Sequence, residues 1–162
     1  MTHRIVIMGV SGCGKSSVGE GLAARLGLPY RDGDDLHPAA NVEKMRVGIP
    51  LTDDDRWPWL DRVAEVLATE APVIVGCSAL RRAYRDRLRA GASGPVQVIH
   101  LAGSHDLIAG RMAARTGHYM PPSLLDSQFA ALELPGSDEA LTIDIDQPLD
   151  AIVTAAAEGL NQ

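Results

Sequence analysis

A chain of 162 residues in which 46% are hydrophobic and 22% charged has the balance of a folded globular protein, far from the polar, highly charged composition of disorder. At this length roughly 70% of the unfolded surface can be buried, enough for a core without disulfide staples. A formal charge of −6 argues against nucleic-acid and anionic-membrane partners, which need a broad basic face, and no apolar run reaches the ~20 residues that span a bilayer.

Short β-branched runs alternate with longer helical patterns, the signature of a parallel sheet covered by helices on both faces. The first run is IVIM at 5–8, followed by GVSGCGKSS at 9–17. Gly9, Gly14, Lys15 and Ser16 satisfy G-x-x-x-x-G-K-[ST] between a strand and a helix, the setting a phosphate loop requires. In such a loop the backbone of Gly9, Ser11, Gly12, Cys13, Gly14, Lys15, Ser16 and Ser17 wraps a triphosphate, with Lys15 on the terminal phosphates. The Ser16 hydroxyl is suited to Mg²⁺. ATP and Mg²⁺ are therefore the expected cofactors. Only Lys15 and Lys44 are lysines, against 13 arginines, so a compact ammonium stands where the motif wants one. Cys13 and Cys77 occur singly, and no leader precedes the first strand, which predicts a reducing, cytoplasmic setting.

A weaker strand at 28–32 runs into RDGDDLHP, residues 31–38. Asp32, Asp34 and Asp35 crowd one glycine, and carboxylates that close repel unless a cation or a reacting hydroxyl shares their site. At the carboxyl end of a strand beside a phosphate loop, Asp34 suits a general base for an acceptor hydroxyl and Asp32 the Mg²⁺ water shell. Thr52 and Asp55 form a capping box before Leu60, Val63, Ala64 and Leu67, with Pro58 placed in the first turn. Trp57 and Trp59 read as core or interface packing, and Tyr84, Arg85 and Asp86 as helix surface or structural.

Further strands are expected at 73–75 (VIV), 98–101 (VIHL) and 141–145 (LTIDI). Arg111 and Arg115, four apart near a helix end, repel each other slightly unless a phosphate lies between them; helix-end charge is the plainer reading. Ser123 and Asp126 make a second capping box, and Leu149, Ile152, Val153 and Ala156 mark a final helix. With no repeat or linker, residues 1–162 read as one domain.

DGDDLHPAANVEKMRVGIPLTDDDRWPWL, GCSALRRAYRDRLR, GHYMPPSLLDSQFAALE and DIDQPLD resemble the gluconokinases of the thermoresistant bacterial type over nearly the whole chain. The departures are Arg81 and Arg82 where lysines are frequent, and Ser17 for a common threonine. The resemblance implies a P-loop kinase three-layer sandwich with a five-stranded parallel sheet of order 2-3-1-4-5. It also implies a lid at about 116–123, often a homodimer, and ATP-dependent phosphorylation of the terminal hydroxyl of D-gluconate. A flexible polyol with one carboxylate needs a cation and several hydrogen-bonding side chains. Arg56 and Arg81 are candidates for the carboxylate, and His37, Lys44, Ser78 and His118 for hydroxyls. Lid closure would bring Arg111 and Arg115 onto the transferring phosphoryl group, and Gln147 and Pro148 would flank adenine. Two rivals stay open: a kinase for another small hydroxy acid, shikimate-like, or for a nucleotide, and a nucleotide-switched binding module.

Overall fold

The computed structural model describes residues 3–114 and 122–160. Strand β1 (Arg4–Met8) leads through the glycine-rich loop into α1 (Lys15–Leu26), and β2 (Tyr30–Asp32) into a 3₁₀ turn (Gly33–Leu36). Helices α2 (Ala39–Arg46) and α3 (Asp53–Thr69) then precede β3 (Val73–Gly76) and α4 (Arg82–Gly91). The chain continues with β4 (Gln97–Ala102), α5 (His105–Ala113), α6 (Pro122–Ala131), β5 (Leu141–Asp144) and α7 (Leu149–Leu160). The strands form one parallel five-stranded sheet of order β2-β3-β1-β4-β5.

Alternation along the strands divides the core into two layers, because successive side chains leave a strand on opposite faces. Ile5, Ile7, Ile74 and Ile99 pack with Leu22 of α1 and with Ile152 and Val153 of α7. Val6, Met8, Val73 and Val75 pack with Leu60, Val63 and Leu67 of α3 and Leu88 of α4. Helices thus cover both faces, and the central strands β3, β1 and β4 are largely buried on both sides as a parallel sheet demands, while the edge strands β2 and β5 stay partly exposed. Since all strands run the same way, their carboxyl ends share one edge, where the loops after β1, β2, β3 and β5 meet. No helix among the described residues is long and apolar enough to cross a membrane.

The capping box of α3 is present in both directions: the Thr52 side chain accepts from the Asp55 N–H, and Asp55 accepts from the Thr52 N–H. Two local expectations are corrected. Pro58 lies in the second turn of α3 rather than the first, so the Asp54 carbonyl loses its helical partner; both residues are exposed and water can take the vacant bond. Helix α6 begins at Pro122, so Ser123 is inside it rather than capping it, and Asp126 instead meets His105 Nε2 at 2.6 Å. Proline at a first helical position needs no N–H partner and presets the dihedral.

One close approach ties the sheet to the acidic turn. Gly76, paired in register with Asp32, has no room for a side chain, because a Cβ there would overlap the Tyr30 hydroxyl. Gly76→Ala is expected to cost about 1–3 kcal/mol of stability through overpacking. In a Tyr30→Phe background most of that loss should disappear in denaturant melts; additive losses would show that the crowding lies elsewhere.

Candidate active site

The loop after β1 turns on glycines in the left-handed region, Gly12 at φ 83° and Gly14 at φ 98°, where a side chain is strained. That path leads the Gly14–Ser17 backbone into the first turn of α1, whose N-terminal N–H groups form an anion site. Lys15 Nζ donates to the carbonyls of Gly9 (3.0 Å) and Val10 (3.1 Å), which hold the ammonium at the loop. Cys13 is buried with its Sγ in the space a Gly9 Cβ would need, so its thiol is packing. The loop is also clasped from α6: Ser11 N–H donates to Gln128 Oε1 at 2.7 Å, and Gln128 Nε2 donates to Ser11 Oγ at 3.0 Å.

Opposite the loop stands the 3₁₀ turn. Asp32 Oδ1 accepts from the Asp34 N–H at 2.9 Å and caps the turn, while Trp59 Nε1 donates to the Gly33 carbonyl at 2.8 Å from beneath. These bonds aim Asp34 into a cavity of about 620 Å³ that it lines together with Lys15, His37, Arg56 and Ser78. Asp34 is open to water, but protein atoms surround it on the concave wall. Burial therefore pushes its carboxyl above the usual value, Lys15 opposes that, and Asp32 and Asp35 add to it.

His37 is buried and stacked on Trp59, with ring centroids 4.1 Å apart and 15° between planes. Burial, reinforced by the charge of Arg56, lowers it to about 4, so the ring is neutral near pH 7. The Asn41 amide nitrogen donates to the Asp55 carbonyl at 2.8 Å and sits 3.2 Å from His37 Nδ1. With Nδ1 accepting, the proton is on Nε2, which faces Asp34 at 4.0 Å. His37 can donate to an acceptor hydroxyl from that nitrogen.

Beyond the six predicted residues on its wall, Ser11 among them, the cavity lining includes the 45–51 segment, Trp59, Tyr84 and the face of α6 formed by Leu124, Ser127, Gln128 and Ala131. Lys44 and Arg81 are not on the wall. The Lys44 ammonium binds Asp55 at 2.7 Å, and that hydrogen bond, with the Thr52 N–H, lowers Asp55 to about 2. Arg81 is the exposed N-cap residue of α4. Arg46 lines the rim, paired with Glu43 at 2.5 Å. Arg111 Nη2 donates to the Ile145 carbonyl at 2.7 Å, beside the loop of Gln147 and Pro148. Gln147 Nε2 in turn donates to the Asp144 carbonyl at 2.6 Å. Arg115, His118 and most of the predicted lid lie outside the described residues.

Sequence reasoning passed over Trp59, Tyr84 and Gln128 as site residues. A signal for Gln128 was present: it follows Leu124 by four on a mostly apolar helix, a polar side chain on an inward stripe. Among the described residues no group of three or more His, Cys, Asp or Glu could hold a metal ion unaided. Ser16 in the first turn of α1 and Asp32 at the end of β2, the residues expected to serve Mg²⁺, each carry an oxygen of the kind that could hold Mg²⁺ bound to phosphates.

A phosphate loop facing an acidic turn across an acceptor-sized cavity, on a 2-3-1-4-5 parallel sheet, defines a P-loop kinase of small molecules. The AAA domain family matches residues 5–135. A gluconokinase of Gluconobacter oxydans is 50% identical over 139 residues, covering 83% of this chain and 78% of that protein. The thermoresistant gluconokinase of Escherichia coli is 44% identical over 162 residues, 96% of this chain and 92% of its own length. The crystal structure of a gluconokinase from Sinorhizobium meliloti 1021 superposes with a TM-score of 0.92 at 53% identity, over 98% of this chain and 91% of that one. The chain belongs to the gluconokinase family.

Proposed function

We infer that this protein transfers the γ-phosphoryl group of ATP to the 6-hydroxyl of D-gluconate, giving 6-phosphogluconate and ADP. The observation that carries the reading is that Lys15 and Asp34 share one cavity wall, so a triphosphate tail and an acceptor hydroxyl can be held face to face. Asp34 takes the hydroxyl proton as the new O–P bond forms and the bond to the ADP oxygen breaks. Lys15 exchanges the loop carbonyls for the phosphates. Main-chain amides from Gly9 to Ser17 cradle the phosphate chain.

Ser16 and Asp32 would hold Mg²⁺, which when bound would spread the phosphate charge. His37 and Ser78 hydrogen-bond acceptor hydroxyls, and Arg56 meets the carboxylate. Arg111, with Gln147 and Pro148, serves the nucleotide side. The reading takes residues 1–162 as one working kinase domain. A shikimate-like acceptor and a nucleotide switch are less well supported, because the relatives that span most of the chain are named as gluconokinases.

A coupled ADP-release assay over a panel of sugar acids, shikimate and nucleoside monophosphates tests this. Gluconate is expected to raise kcat/KM at least about 100-fold above every other acceptor in the panel, since a site that hydrogen-bonds several acceptor groups discriminates strongly against acceptors that lack them. Turnover that is the same with and without gluconate would end the kinase reading.

A further inference from the structure

One polar group on the cavity wall has no task in phosphoryl transfer. Tyr84 of α4 is buried, yet it lines the cavity next to Arg56. A phenol has a single proton to donate. The Tyr84 hydroxyl gives it to the Asp53 carboxylate in a short hydrogen bond, which leaves the oxygen lone pairs to accept from Arg56 Nη1 at 3.1 Å. Burial and the bond to Asp53 push the phenol above its usual value, so the hydroxyl keeps its proton.

The rest of the cluster fixes the ring and the cation together. Asp53 and Arg56 are three residues apart on α3, with Arg56 Nη1 3.7 Å from Asp53 Oδ1. The guanidinium carbon lies 5.3 Å from the centroid of the Tyr84 ring. Trp57 meets that ring edge-on, with centroids 5.7 Å apart. A long arginine side chain loses considerable rotamer freedom when it must hold one pose, and holding it in advance strengthens whatever its remaining donors bind. The Tyr84 contact uses one of the five guanidinium N–H groups.

We propose that Tyr84 is a positioning residue for acceptor recognition: its hydroxyl, oriented by Asp53, sets the Arg56 guanidinium in the pose that receives the acceptor's carboxylate. This rests on the reading of Arg56 as the gluconate carboxylate partner. Tyr84 needs no contact with the substrate, because its hydroxyl is already committed on both sides.

The test is a steady-state comparison of wild type, Tyr84→Phe, Asp53→Asn, Arg56→Gln and the Tyr84→Phe/Arg56→Gln pair. Tyr84→Phe keeps the ring packing and removes only the oxygen. It should raise KM for gluconate about tenfold, the scale of a hydrogen bond to a charged group, with much smaller changes in kcat and in KM for ATP. Asp53→Asn, on an exposed first turn of α3, should raise the gluconate KM in the same direction without disturbing the core. In the Arg56→Gln background the effect of Tyr84→Phe should shrink to less than about twofold.

A gluconate KM within about twofold of wild type in both Tyr84→Phe and Asp53→Asn, or a full Tyr84→Phe effect persisting in the Arg56→Gln background, would overturn the proposal. An unchanged gluconate KM in Arg56→Gln itself would remove the carboxylate assignment and the role of Tyr84 with it. Failure of the gluconate reading is distinguishable from these, because wild type would then show no gluconate-dependent ADP release.

Discussion

Asp34→Asn is expected to lower kcat with gluconate by about 10²–10⁴-fold, the usual range for a lost general base, and to leave KM for ATP nearly unchanged. The asparagine keeps the shape of the turn: the capping bond runs from the Asp34 N–H to Asp32 and does not involve the Asp34 carboxyl. Only proton acceptance is removed. A wild-type kcat in this variant would take Asp34 out of the chemistry. The pH profile carries the same information. The base must be ionised, and burial raises the Asp34 carboxyl above its usual value, so wild-type kcat/KM should fall as pH drops through that raised value. The limb should be missing in Asp34→Asn. His37 adds no limb near neutrality, since burial holds it at about 4. Its effect is on stability: with a folded value below the usual 6.5, the unfolded chain binds the extra proton, and stability falls as pH drops from about 6.5 towards 4.

The second large effect is expected at Arg85 and Glu139, a pair with almost no exposure. Arg85 Nε meets Glu139 Oε1 at 2.5 Å. The same guanidinium donates to the carbonyls of Ala79 (2.8 Å), Leu80 (3.1 Å) and Glu133 (3.0 Å). Ala79 has a positive φ of 44°, a strained setting for a residue with a side chain. Arg85 is therefore the tie that holds the turn after β3, and with it Ser78, against the cavity. Removing one partner of such a pair costs about 3–5 kcal/mol, which for a domain of this size lowers Tm by roughly 10 °C.

Arg85→Met should be worse than Glu139→Gln, because it also strands the buried carbonyls of Ala79 and Leu80 and the part-buried one of Glu133. Burial alone would raise Glu139, but hydrogen bonds and charge from Arg85 and Arg89 outweigh it and bring it to about 2. A carboxylate depressed in this way stabilises the fold above its unfolded value near 4.5, and the benefit is lost as pH falls towards 2. The gap in Tm between wild type and Glu139→Gln should close over that window. A constant gap down to pH 2 would mean the pair's charge is not what stabilises this region.

Much of this architecture was readable from the chain because it is local. The phosphate loop needs left-handed glycines and a lysine within nine residues, and the α3 capping box closes over four. Four of the strands announced themselves as short β-branched runs, and β2, with the sequence Tyr-Arg-Asp, gave the weaker signal. Where local patterns competed, tertiary contacts decided. Ser123 and Asp126 had the spacing of a cap, yet the helix starts at Pro122 and Asp126 pairs with His105. Helix α2 carries no strong apolar stripe, and Asn41 is its one buried residue.

By itself, the sequence determined that a phosphate loop and an acidic turn each follow a strand of a parallel sheet, since backbone geometry and hydrophobic periodicity are properties of short segments. Only the tertiary structure decided which cations face the cavity. Lys44, Arg56 and Arg81 look alike along the chain, but Lys44 is held by Asp55, Arg81 is exposed, and Arg56 is placed at the wall beside Tyr84. The physical reason is that a charge takes the nearest complementary group in space, and residues 28 positions apart become neighbours only once α3 and α4 pack on the same face of the sheet.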